Sequence, residues 1–217
     1  MKRVLWFTLM ALLVFSTPLW AASAFGVKGG LNLANIAEDP EPEGVSIGIR
    51  TGIAVGGSVE IPLTPTNKLT LRGEVLYVMK GTKLSGTEAD YDFKSTITVD
   101  ELVVAPFLVF RFPSQGFTPF LQFGPEVGLN VTHKYKSEVT INGVSTSGSG
   151  NLDDWASTNF GLNIGAGAAI PAGRGEVLFD VRYNLGLANM YTGPGTGTDK
   201  TNGIQLLMGY NFTVPKK

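Results

Sequence analysis

The stretch Glu176–Asn189, EVLFDVRYNLGLAN, decides the fold. Val177, Phe179, Val181, Tyr183, Leu185 and Leu187 alternate with Glu176, Leu178, Asp180, Arg182, Asn184 and Gly186. A period of two places successive side chains on opposite faces of a β-strand. One face is wholly apolar, and the other carries an acid and a base two residues apart. At ~3.3 Å per residue the segment reaches roughly 40 Å, about twice a usual strand. A tilted strand that crosses a bilayer needs about 9–11 residues of this pattern. The fold therefore turns on how often the pattern occurs.

Eight such segments are found in the 217 residues: 25–33, 45–61, 68–81, 101–112, 117–132, 155–170, 176–189 and 204–212, with no helical segment between them. Long polar connections alternate with short turns. The longest is 133–154, rich in Ser, Gly and Thr, and 84–98 is a second long polar loop. This pattern predicts an all-β fold, an eight-stranded antiparallel up-and-down transmembrane β-barrel with both chain ends at the short-turn end. Lipid tolerates no unpaired sheet edge, and eight strands close around an interior that side chains just fill. Pro106, Pro119 and Pro125 fall inside strands and lack the ladder N–H, so bulges or local breaks are expected there.

Alternation alone does not say which face is inside. A soluble, periplasmic, lipocalin-like ligand-binding barrel would place the apolar face inward. The polar faces, however, hold the charges Arg50, Glu60, Arg72, Glu74, Arg111, Glu126, Asp180 and Arg182, with Lys28 and Lys80, among many glycines. Glycines beside charges leave room for long side chains to pair in a narrow lumen. Arg72/Glu74 and Asp180/Arg182 are expected to pair, because an unpaired buried charge costs several kcal/mol. Phe110, Phe112, Phe117, Trp155, Tyr210 and Phe212 lie near strand ends, as an interfacial aromatic girdle requires.

The N-terminus reads as an export signal: Lys2 and Arg3, the apolar run Val4–Phe15, Pro18, then Ala22-Ser23-Ala24. The expected organisation is a signal peptide over 1–24 and a barrel domain over 25–214. Removing Lys2 and Arg3 leaves 15 basic against 18 acidic residues, a mature charge of −3. No basic block points to nucleic acid. The absence of cysteine excludes disulfides, thiolate metal sites and cysteine nucleophiles.

FGVKGGLNLANI, LRGEVLYVMKGTKL, RYNLGLANM and GIQLLMGYNF resemble outer-membrane β-barrel domain proteins of the "porin family" type, and the resemblance covers about 25–214. It implies the outer membrane of a Gram-negative-type bacterium, periplasmic termini, and membrane lipid and lipopolysaccharide as surroundings. A last strand ending on Tyr210 and Phe212 is similar to the aromatic signal read by the barrel-assembly machinery. The tail Thr213–Lys217 departs from a strictly terminal aromatic.

Chemistry is sparse. His133 is the sole histidine, with Ser137 and Glu138 nearby, but no catalytic constellation assembles. Glu88, Asp90 and Asp92, and Asp153 and Asp154, read as solvated acidic loops rather than metal sites. Gly193–Thr201 is no phosphate loop, since Asp199 stands where a Walker motif needs glycine. The sequons at Asn130 and Asn211 fall in strands. No cofactor is expected. The leading reading is a non-enzymatic membrane barrel with loops for surface interaction or envelope structure, against a small-solute pore.

Overall fold

The computed structural model describes residues 24–40, 44–88, 91–194 and 196–214. The expected export signal lies outside them, except for Ala24. Among the described residues nine strands follow in order: β1 (Ala24–Asp39), β2 (Ser46–Pro62), β3 (Leu69–Glu88), β4 (Tyr91–Arg111), β5 (Thr118–Ile141), β6 (Val144–Asn151), β7 (Thr158–Ala172), β8 (Gly175–Gly186) and β9 (Thr198–Thr213). Eight of them close an antiparallel ring in the order β1-β2-β3-β4-β5-β7-β8-β9, with β9 pairing back onto β1. That closing pair runs from Ala24↔Thr213 to Asp39↔Thr198.

The ninth strand is where the sequence-based expectation fails. Segment 133–154 is not a loop. β5 continues to Ile141, turns at Asn142-Gly143 and returns as β6, which pairs only with Lys134–Ile141 of β5. Asn142 and Gly143 both have positive φ, 49° and 80°, which an Asn-Gly type I′ hairpin turn requires. Residues 84–88 and 91–98 are likewise strand, paired from Leu84↔Ser95 to Glu88↔Tyr91. The upper parts of β2, β3, β4 and β5, with β6, form a sheet that stands beyond the barrel wall at the long-hairpin end. β7 begins at Thr158 rather than Trp155, and β8 ends at Gly186 rather than Asn189. Beyond β8, Met190 N donates to Asp199 O and Met190 O accepts from Ala156 N.

The prolines disturb the ladder less than expected. Pro119 and Pro125 pair in register with β7. On the other side of β5, pairing with β4 lapses between Val104↔Val127 and Leu108↔Phe123 without a register change, so Pro106 and Pro125 face each other. Neither can donate across that gap. The bulges lie elsewhere, in β2 between Ile49 and Ala54 and at the Asp100/Glu101 step opposite β5.

Outward rows are apolar and exposed, Val27 by 62% and Ile164 by 66%. Inward rows bury charges, with Arg72 0% and Lys28 4% exposed. This is the inverse of a soluble ligand-binding barrel. The lumen is nevertheless not purely polar: Leu76, Val103, Phe107, Val109, Phe120, Leu178 and Leu207 cluster inside it. Glycine opposite a large side chain makes the filling possible. A Cβ at Gly165 would lie 2.6 Å from Cβ of Arg182, and one at Gly167 would lie 2.3 Å from the Phe120 ring. Gly167→Val should therefore cost about 1–3 kcal/mol of overpacking strain. Heat-modifiable migration on SDS gels should report a smaller folded fraction for it than for the parent chain.

Candidate functional site

The inward charges join in two clusters. Nearer the short-turn end, Glu60 of β2 accepts from Thr70 (2.9 Å), Arg72 Nε (3.0 Å) and Arg111 Nη1 (2.7 Å). Arg111 Nη2 reaches Glu176 at 2.7 Å. Arg72 Nη1 donates to Gln122 (3.0 Å), whose Nε2 donates to Asp180 (2.6 Å). Lys28 bridges Asp180 (3.4 Å) and Glu74. Arg182 closes the chain, with Nη1 on Glu74 (2.7 Å) and Nε on Gln205 (2.8 Å). Four cations (Lys28, Arg72, Arg111, Arg182) meet four carboxylates (Glu60, Glu74, Asp180, Glu176). Arg72 also lies 4.9 Å from the Phe120 ring centroid and Arg182 lies 5.0 Å from that of Phe107, so the apolar residues of the lumen hold the guanidinium planes.

The second cluster sits higher. Lys80 lies between Glu101 (2.8 Å) and Glu126 (2.7 Å), while Asn163 donates to Glu126 (2.8 Å) and Asn159 to Glu101 (2.9 Å). Sequence phasing missed Glu101, because it stood at the expected start of a strand that begins ten residues earlier. Lys80 and Lys28 belong to the clusters as fully as the arginines. Arg50 stays buried in the inward row of β2, opposite Ala34. It donates to the Lys80 carbonyl and pairs with Asp100 (3.6 Å), which also accepts from the outward-facing Tyr77 (2.9 Å). The pairs that form are between strands: Arg72 takes Glu60 and Arg182 takes Glu74, rather than Arg72/Glu74 and Asp180/Arg182.

Phe110, Phe112, Phe117 and Phe212 are outward and exposed at the short-turn end, where Phe212 stacks on Phe25 at 5.2 Å and meets Tyr210 edge-on at 4.7 Å. Trp155 is not in that girdle, being bridged to Tyr191 in the connection before β7. Tyr183 and Phe160, nearer the other end, and Phe123 and Phe179 are outward aromatics that the sequence reading left out of the girdle. His133 lies in β5 opposite Val99, not in a loop. Ser137 is four residues along the same extended strand, about 13 Å away, and Glu138 is on the opposite face. Among the described residues no group of three or more His, Asp or Glu stands ready for a metal. Asp90 lies outside the described residues, and so does the Glu88 side chain. Asp153 and Asp154 are exposed in a turn.

A family model described as "Outer membrane protein beta-barrel domain" matches residues 16–192. The chain belongs to that family. No curated protein sequence matches it. Among solved structures, Neisserial surface protein A is 18% identical, with 89% of this chain and 99% of that one covered and a TM-score of 0.46. The attachment invasion locus protein Ail of Yersinia pestis is 16% identical over 88% and 99%, with a TM-score of 0.39. The outer membrane enzyme PagL is 15% identical over 87% and 99%, with a TM-score of 0.37. Membership of the family makes the protein an outer-membrane β-barrel, and the outward apolar rows are its lipid-facing surface.

Two consequences are measurable. Arg182→Ala strands Glu74 in the lumen with only Lys28, and losing one partner of a buried pair costs about 3–5 kcal/mol. A urea titration of the refolded barrel should show that loss, and a smaller one for Arg111→Ala, whose side chain is 13% exposed. At the long-hairpin end of the closing seam, Glu38 faces Asp199 directly. Burial and then Asp199 raise the Glu38 carboxyl above its usual 4.5, and burial raises Asp199 above 3.8. The folded seam thus favours the neutral acids. Its stabilisation is complete below the ordinary carboxyl values and is lost as pH climbs through the raised ones. Glu38→Gln should raise the melting temperature at pH 7 and leave it unchanged well below 3.8.

Proposed function

We propose that the protein is a non-conducting, non-enzymatic anchor that presents its protruding sheet at the cell surface, with both chain ends periplasmic. The observation that carries this reading is the lumen itself. Its charges are matched across strands rather than lining an open path, and Arg72, Phe107, Phe120 and Leu178 fill the space between them with almost no exposure. A conducting lumen needs charges that exchange partners with water and ions, and these are held by neighbours on other strands.

The non-enzymatic reading rests on the spacing of His133 and Ser137 along one strand and on the buried His133 Nδ1, which has no hydrogen-bond partner among the described residues. A catalytic imidazole needs both a nucleophile in reach and an orienting partner. Support for an outward sheet comes from the short turns and the two ends of the described chain sharing the other end, the arrangement of barrels inserted from the periplasm. Lipopolysaccharide headgroups then surround the base of the sheet, where Lys83 and Lys134 face outward.

Single-channel recording of the mature protein in a planar bilayer tests the reading. A correctly folded barrel should be silent. Steady, salt-dependent steps whose ion selectivity shifts in Arg72→Ala would make it a small-solute pore instead.

A further inference from the structure

β6 is an open sheet edge. It pairs with β5 and with no other strand among the described residues. The pairing parity identifies the free backbone groups. Leu152 N donates to His133 O, and Ile141↔Val144 flank the two-residue turn, so the even positions of β6 bond to β5. The N–H and C=O of Ser145, Ser147, Ser149 and Asn151 therefore point away from the sheet. Proteins usually blunt such edges with lysine, proline, a bulge or a covering segment. β6 reads VSTSGSGN, without charge or proline, and it pairs without a register break.

The two faces beside this edge differ. On the lumen-side face, Gly150 has no side chain and the Tyr135 ring lies across it, within 2.9 Å of where a Cβ would be. Gly148 is bare as well, and Val139, Ile141 and Val144 continue an apolar row. On the other face, Lys134 stands opposite Asn151, Lys136 opposite Ser149 and Glu138 opposite Ser147, with Lys94 of β4 opposite Glu138, so the row is net positive and most so beside Ser149 and Asn151. A neighbouring strand sits about 4.8 Å away, so a lysine on β5 lies roughly 10 Å from a strand added to β6, within reach across small serines.

We propose that β6 takes up an extended segment of another protein by strand addition. That segment would have apolar residues at alternate positions over Gly148 and Gly150, and acidic residues between them that meet Lys134 and Lys136. Strand addition gives affinity through main-chain bonds and specificity through alternate side chains. A second copy in the same membrane is a poor occupant. A two-fold axis along the membrane normal relates strands tilted by about 35–45° as a crossed pair, neither parallel nor antiparallel. The proposal rests on the surface-presenting reading above and names the chemistry of its partner.

The test uses the mature protein in lipid nanodiscs and two capped octapeptides, alternating Val–Glu and alternating Val–Lys. The Val–Glu peptide should bind, and amide exchange should slow at Ser145, Ser147 and Ser149 while Val144, Thr146 and Gly148, already paired, stay unchanged. Ser147→Pro removes an N–H that the β5–β6 ladder does not use, so the barrel should fold and bind at least tenfold more weakly. Lys134→Glu with Lys136→Glu should reverse the preference toward Val–Lys. Binding of neither peptide, binding without that alternating protection, or spontaneous Ser147→Cys dimers would each overturn the proposal. Channel activity in the same preparation would overturn the anchor reading alone.

Discussion

Everything in this molecule depends on closing the backbone hydrogen-bond ring. Inside a bilayer an unpaired N–H or C=O costs several kcal/mol, so the wall must return on itself. β9 meets β1 along the full sixteen residues of each strand, and that pairing makes an edge-bearing sheet into a barrel. Once the ring is closed, alternation assigns every side chain to lipid or lumen without further choice. The inward charges are then confined with one another, and each has to find its partner across the interior rather than along its own strand.

This explains why the interior is a mixture. Eight strands enclose an interior that side chains just fill, and the space is divided among guanidinium groups, carboxylates and rings. Arg72 over Phe120 and Arg182 over Phe107 are the joints of that division. The apolar wall contributed by β3, β4 and β5 lowers the local dielectric, which strengthens correct pairs and penalises any charge left alone. The glycines at 165 and 167 are part of the same arrangement, since they are the spaces into which these large groups lie.

The sequence was most informative where burial enforces alternation. The eight wall strands, the outward apolar rows and most of the inward charges were legible, because one face of each strand meets hydrocarbon. Legibility failed beyond the barrel wall, where both faces of a strand meet solvent or each other. Lys134, Lys136 and Glu138 alternate with Tyr135, Ser137 and Val139 as strictly as any wall strand does, but their polarity reads as loop. The Asn142-Gly143 turn was the available signal, a two-residue hairpin between alternating runs. Partner choice in the lumen was also illegible, because it depends on register between strands distant in sequence. Arg50 is buried in the inward row as phased, but its partner Asp100 was illegible for the same reason. The prolines gave the expected local break only where Pro106 and Pro125 face one another, so that two missing donors fall in one gap and the register survives, while Pro119 stays in register.

The seam between β1 and β9 also governs when the protein becomes a protein. Its first strand has no permanent partner on one side until its last strand has been delivered. Sequence separation across that seam approaches the length of the whole domain, the slowest kind of contact to form. A partly delivered chain is a curved sheet with two raw edges, prone to pair with whatever it meets. Such a chain has to be kept extended and chaperoned until it is complete, and assembly then ends in a single late event in which the two edges meet.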